Sequence, residues 1–190
     1  NLSDNSIEEA SIEPATEEEV EATIKVMGGE DWAQWTDFLE EEGLLSPSII
    51  NLSYSYIGPE VTQGIYYSGS MGMAKQDLYK TATALREKYP SHHAHVAINK
   101  AVVTQSSTAI PSIALYVSAL FQVMKLQGTH EDTIHQMYRL LDEKIDLENK
   151  EAVVDEEQLI RLDDWEMKAS VQKEVLRLWD LVNTENAQEI

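Results

Sequence analysis

The order of apolar patterns between residues 49 and 126 restricts the fold of this 190-residue chain more than any other feature. Residues 49–57 alternate between apolar and polar side chains and are rich in β-forming types, which predicts a strand. Four segments follow it: an irregular loop over residues 58–69, a helix over 70–89, a short strand over 95–98 and a buried helix over 110–126. Strand, helix and strand in this order predict a β-α-β unit with parallel strands.

The predicted strands are too few for a complete parallel sheet. A third strand is indicated only by a turn or short strand near residues 160–162. A parallel sheet needs cover on both faces and usually contains more strands than this, so we expect the chain to form part of a larger α/β sheet. The last part of the sequence predicts a helix that carries Val171, Val175 and Trp179.

The N-terminal region predicts a leader followed by a capped helix. Residues 1–13 are polar and acidic and show no periodicity, so we interpret them as a flexible acidic leader. Thr16 and Glu19 stand at the two positions of a capping box, which predicts a helix start at this point.

The charge of the chain excludes some classes of partner. It carries 34 acidic and 14 basic residues, a net charge of −20, which argues against a general nucleic-acid binder or a protein attracted to anionic membranes. The excess lies in residues 1–43 and 141–190, whereas residues 44–140 are nearly neutral. A phosphate-bearing ligand would meet the least repulsion in this middle part. The absence of cysteine excludes disulfides and thiol catalysis.

Aromatic and imidazole side chains offer two further patterns. Trp32 and Trp35 lie on one predicted helix, and we expect both to anchor the core. In the segment from His92 to His95, His93 and His95 would share one face of a strand while His92 points away. No third ligand with suitable spacing is evident, so we expect no metal site here and interpret the segment as the polar start of a strand at the surface.

Tyr66 and Lys75 are the candidate pair for chemistry. They are nine residues apart, so on one continuous helix they would lie on opposite faces. Convergence requires Tyr66 in the irregular segment and Lys75 on the following helix, with Gly69 and Gly72 permitting the bend. An ammonium group near a phenol favours the phenolate, so we expect Lys75 to lower the pKa of Tyr66 and make it a better proton donor.

Longer strings resemble one family over residues 11–186. They include Tyr54-Ser55-Tyr56-Ile57-Gly58, the pair Tyr66 and Lys75 with eight residues between them, Lys100-Ala101-Val102-Val103-Thr104, Lys25 to Trp32, Val123-Met124-Lys125 and Arg161 to Glu166. With these strings the chain resembles the NADH-dependent trans-2-enoyl-CoA / enoyl-acyl-carrier-protein reductase family, in its C-terminal portion. The resemblance implies a Rossmann-like α/β fold, a parallel sheet with helices on both faces, of which this chain holds only part together with a helical C-terminal section. It also implies that residues 14–190 form the catalytic portion of such a domain.

The same resemblance implies roles for individual residues. Tyr66 corresponds to the proton donor, Lys75 to the catalytic, cofactor-binding lysine and Tyr56 to the substrate-binding tyrosine. The residues that match the loop touching NAD are Val102, Val103 and Thr104. The implied activity is an oxidoreductase of fatty acid synthesis, which reduces the double bond of an enoyl thioester of CoA or acyl carrier protein with a hydride from NADH. The implied location is the cytoplasm, with the mitochondrion as the alternative.

One departure from the family pattern concerns the cofactor. No Gly-x-Gly-x-x-Gly run occurs in the 190 residues, although such a turn would hold the pyrophosphate of NADH. We therefore interpret the N-terminal cofactor-binding half as absent from this chain, and expect that half or another chain to complete the sheet. Two rival functions stay open at this point: a non-enzymatic remnant or interaction module derived from the fold, and another short-chain-dehydrogenase-like oxidoreductase that acts on a carbonyl.

Overall fold

The structure is a computed structural model that describes residues 6–9, 11–105, 110 and 112–187. The chain divides into two compact units. The first, which we call the α/β unit, comprises residues 14–99 and 137–162. The second, which we call the helical unit, comprises residues 1–13, 100–136 and 163–190.

The helices and strands of the described residues follow one another along the chain in this order: α1 (Glu17–Met27), α2 (Glu30–Glu41), β1 (Ile50–Ser55), α3 (Glu60–Tyr66), α4 (Ser70–Lys88), β2 (His93–Ile98), α5 (Ile113–Leu126), α6 (Thr133–Arg139), a π-helical turn (Leu140–Lys144), β3 (Ile145–Asp146), β4 (Glu151–Ala152), β5 (Leu159–Arg161) and α7 (Ala169–Leu181). The predicted β-α-β order is confirmed by β1, α4 and β2.

The α/β unit is built on a parallel sheet of three strands in the order β1-β2-β5. Ser55 at the end of β1 pairs with Ile98 at the end of β2, which in turn pairs with Arg161 at the end of β5. The carboxyl ends of all three strands therefore meet at the same edge of the sheet, which is where open α/β sheets bind their ligands. Of the two alternatives predicted near residues 160–162, a turn or a short strand, the structure forms the strand β5. A small antiparallel hairpin, β3 with β4, has no counterpart in the sequence prediction.

Both faces of this sheet are covered, as a parallel sheet requires. On one face, Leu78 and Ala82 of α4 pack against Val96, Ile98 and Leu159, with Trp32 and Tyr79 at the margin. On the other face, Ala97 and Ile160 pack against Leu140, Ile145 and Leu162. Val96 and Ile98 of β2 thus point into one core and Ala97 into the other, which explains why these three successive residues are all apolar. The expected α/β architecture is confirmed.

The first helix of the α/β unit begins where the sequence predicts a helix start. Thr16 and Glu19 form the predicted capping box at the start of α1, with the Thr16 backbone N–H donating to Glu19 Oε2 at 2.8 Å. At the turn into α2, the backbone N–H of Gly29 donates to Asp77 Oδ2 of α4 at 2.9 Å. This bond ties the first two helices to the helix that covers the sheet.

Two expectations about this unit are wrong. Trp32 packs at the core and donates its indole N–H to Asn51 at 2.8 Å, but Trp35 is 57% exposed and contacts Phe38 edge-on. The histidine segment is also not at the surface, because the structure buries His92 and His95. Within the described residues, no cluster of three or more His, Cys, Asp or Glu side chains could hold a metal ion.

The helical unit contains the most apolar helix of the chain. Most of one side of α5 is buried, and α5 packs against α7, whose Val171 and Val175 are fully buried. Near the N-terminus, the backbone of Ile7 bonds through both its N–H and its carbonyl to the hydroxyl of Thr184. Among the described helices, none is long and apolar enough to span a bilayer.

Candidate active site

Three elements of the α/β unit carry the candidate residues. Tyr56 directly follows β1, Tyr66 is the last residue of α3, and Lys75 lies in the second turn of α4. The sequence predicted an irregular loop over residues 58–69, whereas the structure forms the short helix α3 there. The helix becomes possible because Pro59 precedes it with an extended backbone, and because the Thr62 N–H and hydroxyl both donate to the Pro59 carbonyl.

Two glycines bring these elements close together. Gly58 has a positive φ of 77°, and a Cβ there would lie 3.0 Å from the hydroxyl oxygen of Tyr56. Gly72, in the first turn of α4, lies so close to α3 that a Cβ would overlap the carbonyl oxygen of Tyr67. The side chain of Lys75 can therefore reach back over the end of α3.

The side chains of Tyr66 and Lys75 converge, as their proposed pairing requires, and the ring of Tyr56 lies beside them. The rings of Tyr56 and Tyr66 are 5.1 Å apart between centroids and meet edge to face at 88°. The Nζ of Lys75 lies 4.4 Å from the centroid of the Tyr66 ring and 5.5 Å from that of Tyr56. It also donates a hydrogen bond to the backbone carbonyl of Tyr56. The ammonium group is thus placed by two ring faces and a carbonyl oxygen, which is a recurrent environment for a desolvated cation.

The expected effect of Lys75 on Tyr66 is wrong in sign. Burial raises the pKa of Tyr66 above its ordinary value, although the ammonium group is close. The phenol therefore keeps its proton at neutral pH, as a proton donor must. Burial also lowers the pKa of Lys75 to about 8, because the ammonium group loses its water.

The other three candidate residues lie in the helical unit. Val102, Val103 and Thr104 form an irregular segment after β2 and become progressively exposed, with Val103 64% exposed. The two residues before them, Lys100 and Ala101, are buried. The structure thus brings together Tyr56, Tyr66 and Lys75, and presents residues 102–104 as a separate accessible segment.

One buried residue next to this segment has no role that the sequence predicted. Glu166 is fully buried, and its carboxylate accepts a hydrogen bond from the backbone N–H of Ala101 at 2.7 Å. The signal was present, since Glu166 closes the string from Arg161 that carries part of the family resemblance. Nothing in that string says which distant backbone amide the carboxylate would meet.

Comparisons with known proteins bear on the same residues. A family model described as the trans-2-enoyl-CoA reductase catalytic region matches residues 1–146, and one described as the enoyl reductase FAD binding domain matches residues 154–190. The trans-2-enoyl-CoA reductase [NADH] of Brachyspira hyodysenteriae is 50% identical over 185 residues, which are 96% of this chain and 47% of the relative. The enoyl-[acyl-carrier-protein] reductase [NADH] of Flavobacterium johnsoniae is 46% identical over 186 residues, 97% of this chain and 47% of the relative.

A solved structure agrees with the sequence relatives. The crystal structure of Treponema denticola trans-2-enoyl-CoA reductase in complex with NAD superposes with a TM-score of 0.93 at 48% identity, over 97% of this chain and 46% of that one. This chain therefore spans about half the length of the relatives it matches. The fold and family that the sequence resemblance implied are confirmed, and the chain belongs to the trans-2-enoyl-CoA reductase family through a match to its catalytic region over residues 1–146.

Proposed function

We propose that the full-length protein that carries this chain reduces the trans-2 double bond of an enoyl thioester with NADH. The observation that carries this proposal is the convergence of Tyr56, Tyr66 and Lys75 at the carboxyl edge of the parallel sheet. The proposal is supported by the two curated relatives, whose names specify an NADH-dependent reductase of enoyl-CoA or enoyl-acyl-carrier-protein.

The two tyrosines have complementary tasks in this reaction. When a hydride adds to the β-carbon of the thioester, negative charge gathers on the carbonyl oxygen, and the α-carbon then requires a proton. Tyr66 is assigned as the proton donor, because its pKa is raised by burial and the phenol is protonated at neutral pH. Tyr56 is assigned as the substrate-binding residue, whose hydroxyl stabilises the carbonyl oxygen by hydrogen bonding.

Lys75 is assigned to both the catalytic pair and the cofactor site. At pH 7 it is mainly protonated, since its pKa is about 8. An ammonium group held over the Tyr66 ring can stabilise negative charge that develops during the reaction, and its N–H groups can bind ribose hydroxyls. Its hydrogen bond to the Tyr56 carbonyl keeps the charge beside both tyrosines.

The donor set of this chain fits part of a nicotinamide cofactor. Lys75 offers a partly desolvated ammonium group, which would bind hydroxyl groups of the nicotinamide ribose. Within the helical unit, Val102, Val103 and Thr104 offer an accessible segment, which would contact the cofactor. NADH, when bound, supplies the hydride. No glycine-rich phosphate turn occurs among the 190 residues, so the pyrophosphate and adenosine belong to another part of the protein.

The cofactor proposed is NADH, although one matching family model has FAD in its description. NADH is chosen because it stands in the names of the curated relatives, and because the Treponema denticola reductase was crystallised in complex with NAD. The spectrum of the purified full-length protein tests this choice, because a bound flavin would show its visible absorption bands. A flavin whose reduction precedes that of the substrate would overturn the assignment to NADH.

The remainder of the proposal concerns the whole protein. Residues 14–190 are proposed as the catalytic portion. The predicted leader over residues 1–13 lies partly outside the described residues, and within it Ile7 is hydrogen-bonded to Thr184. An N-terminal cofactor-binding half, or another chain, completes the sheet beyond its present three strands. The substrate is an acyl thioester of CoA or acyl carrier protein, and the location is the cytoplasm, with the mitochondrion as the alternative.

A coupled assay on the full-length protein tests the proposed function. NADH oxidation is followed with crotonyl-CoA, with its saturated counterpart butyryl-CoA as the control, and the product is identified by mass. We expect oxidation of one NADH for each butyryl-CoA formed, and none with butyryl-CoA as substrate. If the intact protein oxidises no NADH with crotonyl-CoA or crotonyl-acyl carrier protein, the proposal is wrong and the non-enzymatic interaction module is favoured.

A further inference from the structure

A buried polar cluster in the helical unit fixes the chain just before residues 102–104. The backbone N–H of Lys100 donates to Gln136 Oε1 at 2.8 Å, and that of Ala101 donates to Glu166 Oε2 at 2.7 Å. Lys100, Gln136 and Glu166 are each at most 1% exposed. Because a buried backbone amide is costly to leave without an acceptor, these two side chains determine where the backbone of residues 100 and 101 runs.

The carboxylate of Glu166 is itself held in place. Its second oxygen, Oε1, accepts a hydrogen bond from the Tyr116 hydroxyl of α5 at 2.6 Å. The Gln172 amide of α7 donates to the Glu166 backbone carbonyl at 2.8 Å and to the Tyr116 hydroxyl at 3.2 Å. Residues of two helices, α5 and α7, therefore donate hydrogen bonds to Glu166 while its carboxylate accepts from Ala101. These bonds fix the position of the carboxylate without a ligand.

Lys100 supplies a positive charge within the same unit. Its Nζ donates to the Ala101 carbonyl at 2.9 Å and lies 4.3 Å from the centroid of the Phe121 ring. Burial lowers the pKa of Lys100, and the nearby charge of Glu166 opposes that shift. A buried carboxylate and a buried ammonium group thus fix both the N–H and the carbonyl of the same residue, Ala101.

Ala101 marks the boundary between fixed and accessible chain. It is 6% exposed, whereas Val103 two residues later is 64% exposed. Whatever fixes the backbone of Ala101 therefore fixes the direction in which the segment 102–104 leaves the core.

We propose that Glu166 is a positioning residue for the cofactor segment: by accepting the Ala101 N–H it sets the path of Val102, Val103 and Thr104. This inference rests on the proposed function, in which that segment contacts NADH. Glu166 touches neither the substrate nor the cofactor in this scheme and acts through the backbone of Ala101.

The first test measures the hydrogen bond without any ligand. Hydrogen exchange of the Ala101 amide is compared in the wild-type full-length protein, Glu166→Leu, Glu166→Asp and Tyr116→Phe. Glu166→Leu removes both acceptor oxygens. In Glu166→Asp the side chain is too short to accept from the Ala101 N–H and the Tyr116 hydroxyl together. Tyr116→Phe changes the same cluster but keeps the hydrogen bond from Ala101 to Glu166. We expect exchange to accelerate by at least about tenfold in the two Glu166 variants and to change by less than about threefold in Tyr116→Phe.

The second test measures the consequence for the cofactor. We expect Glu166→Leu and Glu166→Asp to raise the KM for NADH by about tenfold, with a much smaller change in the KM for crotonyl-CoA, because the segment they release is the one proposed to contact NADH. Glu166→Gln retains an acceptor for Ala101, so it restores a KM for NADH within about threefold of wild type. Should Glu166→Leu fail to fold, Glu166→Asp answers the same question.

The outcomes separate this inference from the proposed function. Unchanged exchange of Ala101 in both Glu166 variants overturns the positioning role, whatever the enzyme does. Faster exchange with an unchanged KM for NADH in an active enzyme overturns the link to the cofactor but leaves the proposed function standing. A wild-type protein with no NADH-dependent reductase activity overturns the proposed function and, with it, the link that the inference draws from Glu166 to NADH.

Discussion

The ammonium group of Lys75 lies over the face of the Tyr66 ring, with Nζ 4.4 Å from the ring centroid, and also donates a hydrogen bond to the Tyr56 backbone carbonyl. Burial shifts the two groups in opposite senses, since the pKa of Tyr66 rises while the pKa of Lys75 falls to about 8. Both shifts favour the uncharged form of each group, because desolvation penalises charge. At neutral pH the pair is a phenol beside an ammonium group, and the predictions on catalysis depend on that state.

Tyr66→Phe removes the proposed proton donor and keeps the ring that packs against Tyr56. We expect turnover of crotonyl-CoA to fall by roughly 10²–10⁴, the usual scale for losing a positioned general acid. NADH affinity should change little, because Lys75 keeps its ring partner. Steady-state kinetics together with NADH titration of the full-length protein measure the two effects separately.

The neighbouring tyrosine provides the matched control. Tyr67 has the same side chain but caps the end of α3 and is 53% exposed, outside the contacts of Lys75 with Tyr56 and Tyr66. Tyr67→Phe should therefore keep turnover close to wild type. A larger loss in Tyr67→Phe than in Tyr66→Phe would mean that the wrong tyrosine is assigned as the donor.

The pKa of Lys75 predicts that activity declines as the pH rises above neutral. Its pKa of about 8 means that it is mainly charged at pH 7 and mainly neutral at pH 9. We expect kcat/KM for NADH to fall as pH rises through about 8, because the neutral amine loses its charge and one of its N–H donors. In Lys75→Arg, whose guanidinium stays charged, this inflection should disappear even if the rate is lower. An inflection that persists in Lys75→Arg would assign it to another group.

The contacts that hold this site could be predicted from the sequence only in part. The strand, helix and strand that place Tyr56 and Lys75 follow from periodicity and from Gly and Pro punctuation. The sequence also required Tyr66 and Lys75 to lie on different elements in order to meet. It did not reveal that residues 60–66 form a helix, because a seven-residue helix with Gly64 inside has too little periodicity to be recognised.

The wrong sign for the pKa of Tyr66 has a different physical origin. Sequence spacing indicated that an ammonium group would be near, and an ammonium group near a hydroxyl lowers its pKa. In the structure, Lys75 approaches the face of the ring and bonds to the Tyr56 carbonyl, so burial dominates at the phenol. The exposure of Trp35 could not be predicted either, because its spacing from Trp32 is compatible with one apolar helix face. In the structure, α2 contacts Asn51 of β1 through Trp32 and Thr36, and Trp35 is left exposed.

NADH binding by the isolated 190-residue chain should be weak. The chain has no glycine-rich turn for the pyrophosphate of NADH, and neither Lys75 nor the segment of residues 102–104 is proposed to bind that group. Calorimetric titration of the isolated chain and of the full-length protein compares the two directly. Low-micromolar binding by the isolated chain would contradict the proposed division of the cofactor site.

Gly72 is predicted to be essential for the meeting of α3 and α4. A Cβ at this position would overlap the carbonyl oxygen of Tyr67, so Gly72→Ala must push the two helices apart. We expect a loss of stability of about 1–3 kcal/mol, the usual range for overpacking, with loss of turnover because Tyr66 separates from Lys75. Gly64→Ala is the control: nothing lies within 4 Å of its added methyl group, and in α3 it should stabilise by about 0.4–1 kcal/mol. Chemical denaturation of the full-length variants measures both changes, and a Gly72→Ala protein as stable and active as wild type would disprove the close contact.

The buried imidazole of His95 predicts that the free energy of unfolding decreases in mild acid. It is 8% exposed on β2, and burial, followed by the charges of Arg86 and His93, lowers its pKa to about 4. In the unfolded chain a histidine has its ordinary pKa of about 6.5. Between these two values the unfolded state binds a proton that the folded state does not, so stability decreases as pH falls from about 6.5 to about 4. Above this window both states are neutral, and below it both are protonated, so the contribution changes no further.

The test compares the pH dependence of two histidine variants with wild type. Between pH 7.5 and pH 5 we expect the His95 linkage to cost the wild-type protein about 2 kcal/mol of unfolding free energy. His95→Gln removes the titrating group, so its loss of unfolding free energy between pH 7.5 and pH 5 should be smaller than that of wild type by about 2 kcal/mol. Its unfolding free energy at pH 7.5 should be lower than that of wild type, because the variant buries an amide on β2. His135→Gln makes the same chemical change at an exposed side chain and serves as the control for the substitution itself. Urea unfolding of all three proteins at both pH values decides the matter. Parallel losses of stability in wild type and His95→Gln would show that some other group, and not the buried imidazole of β2, makes the fold sensitive to acid.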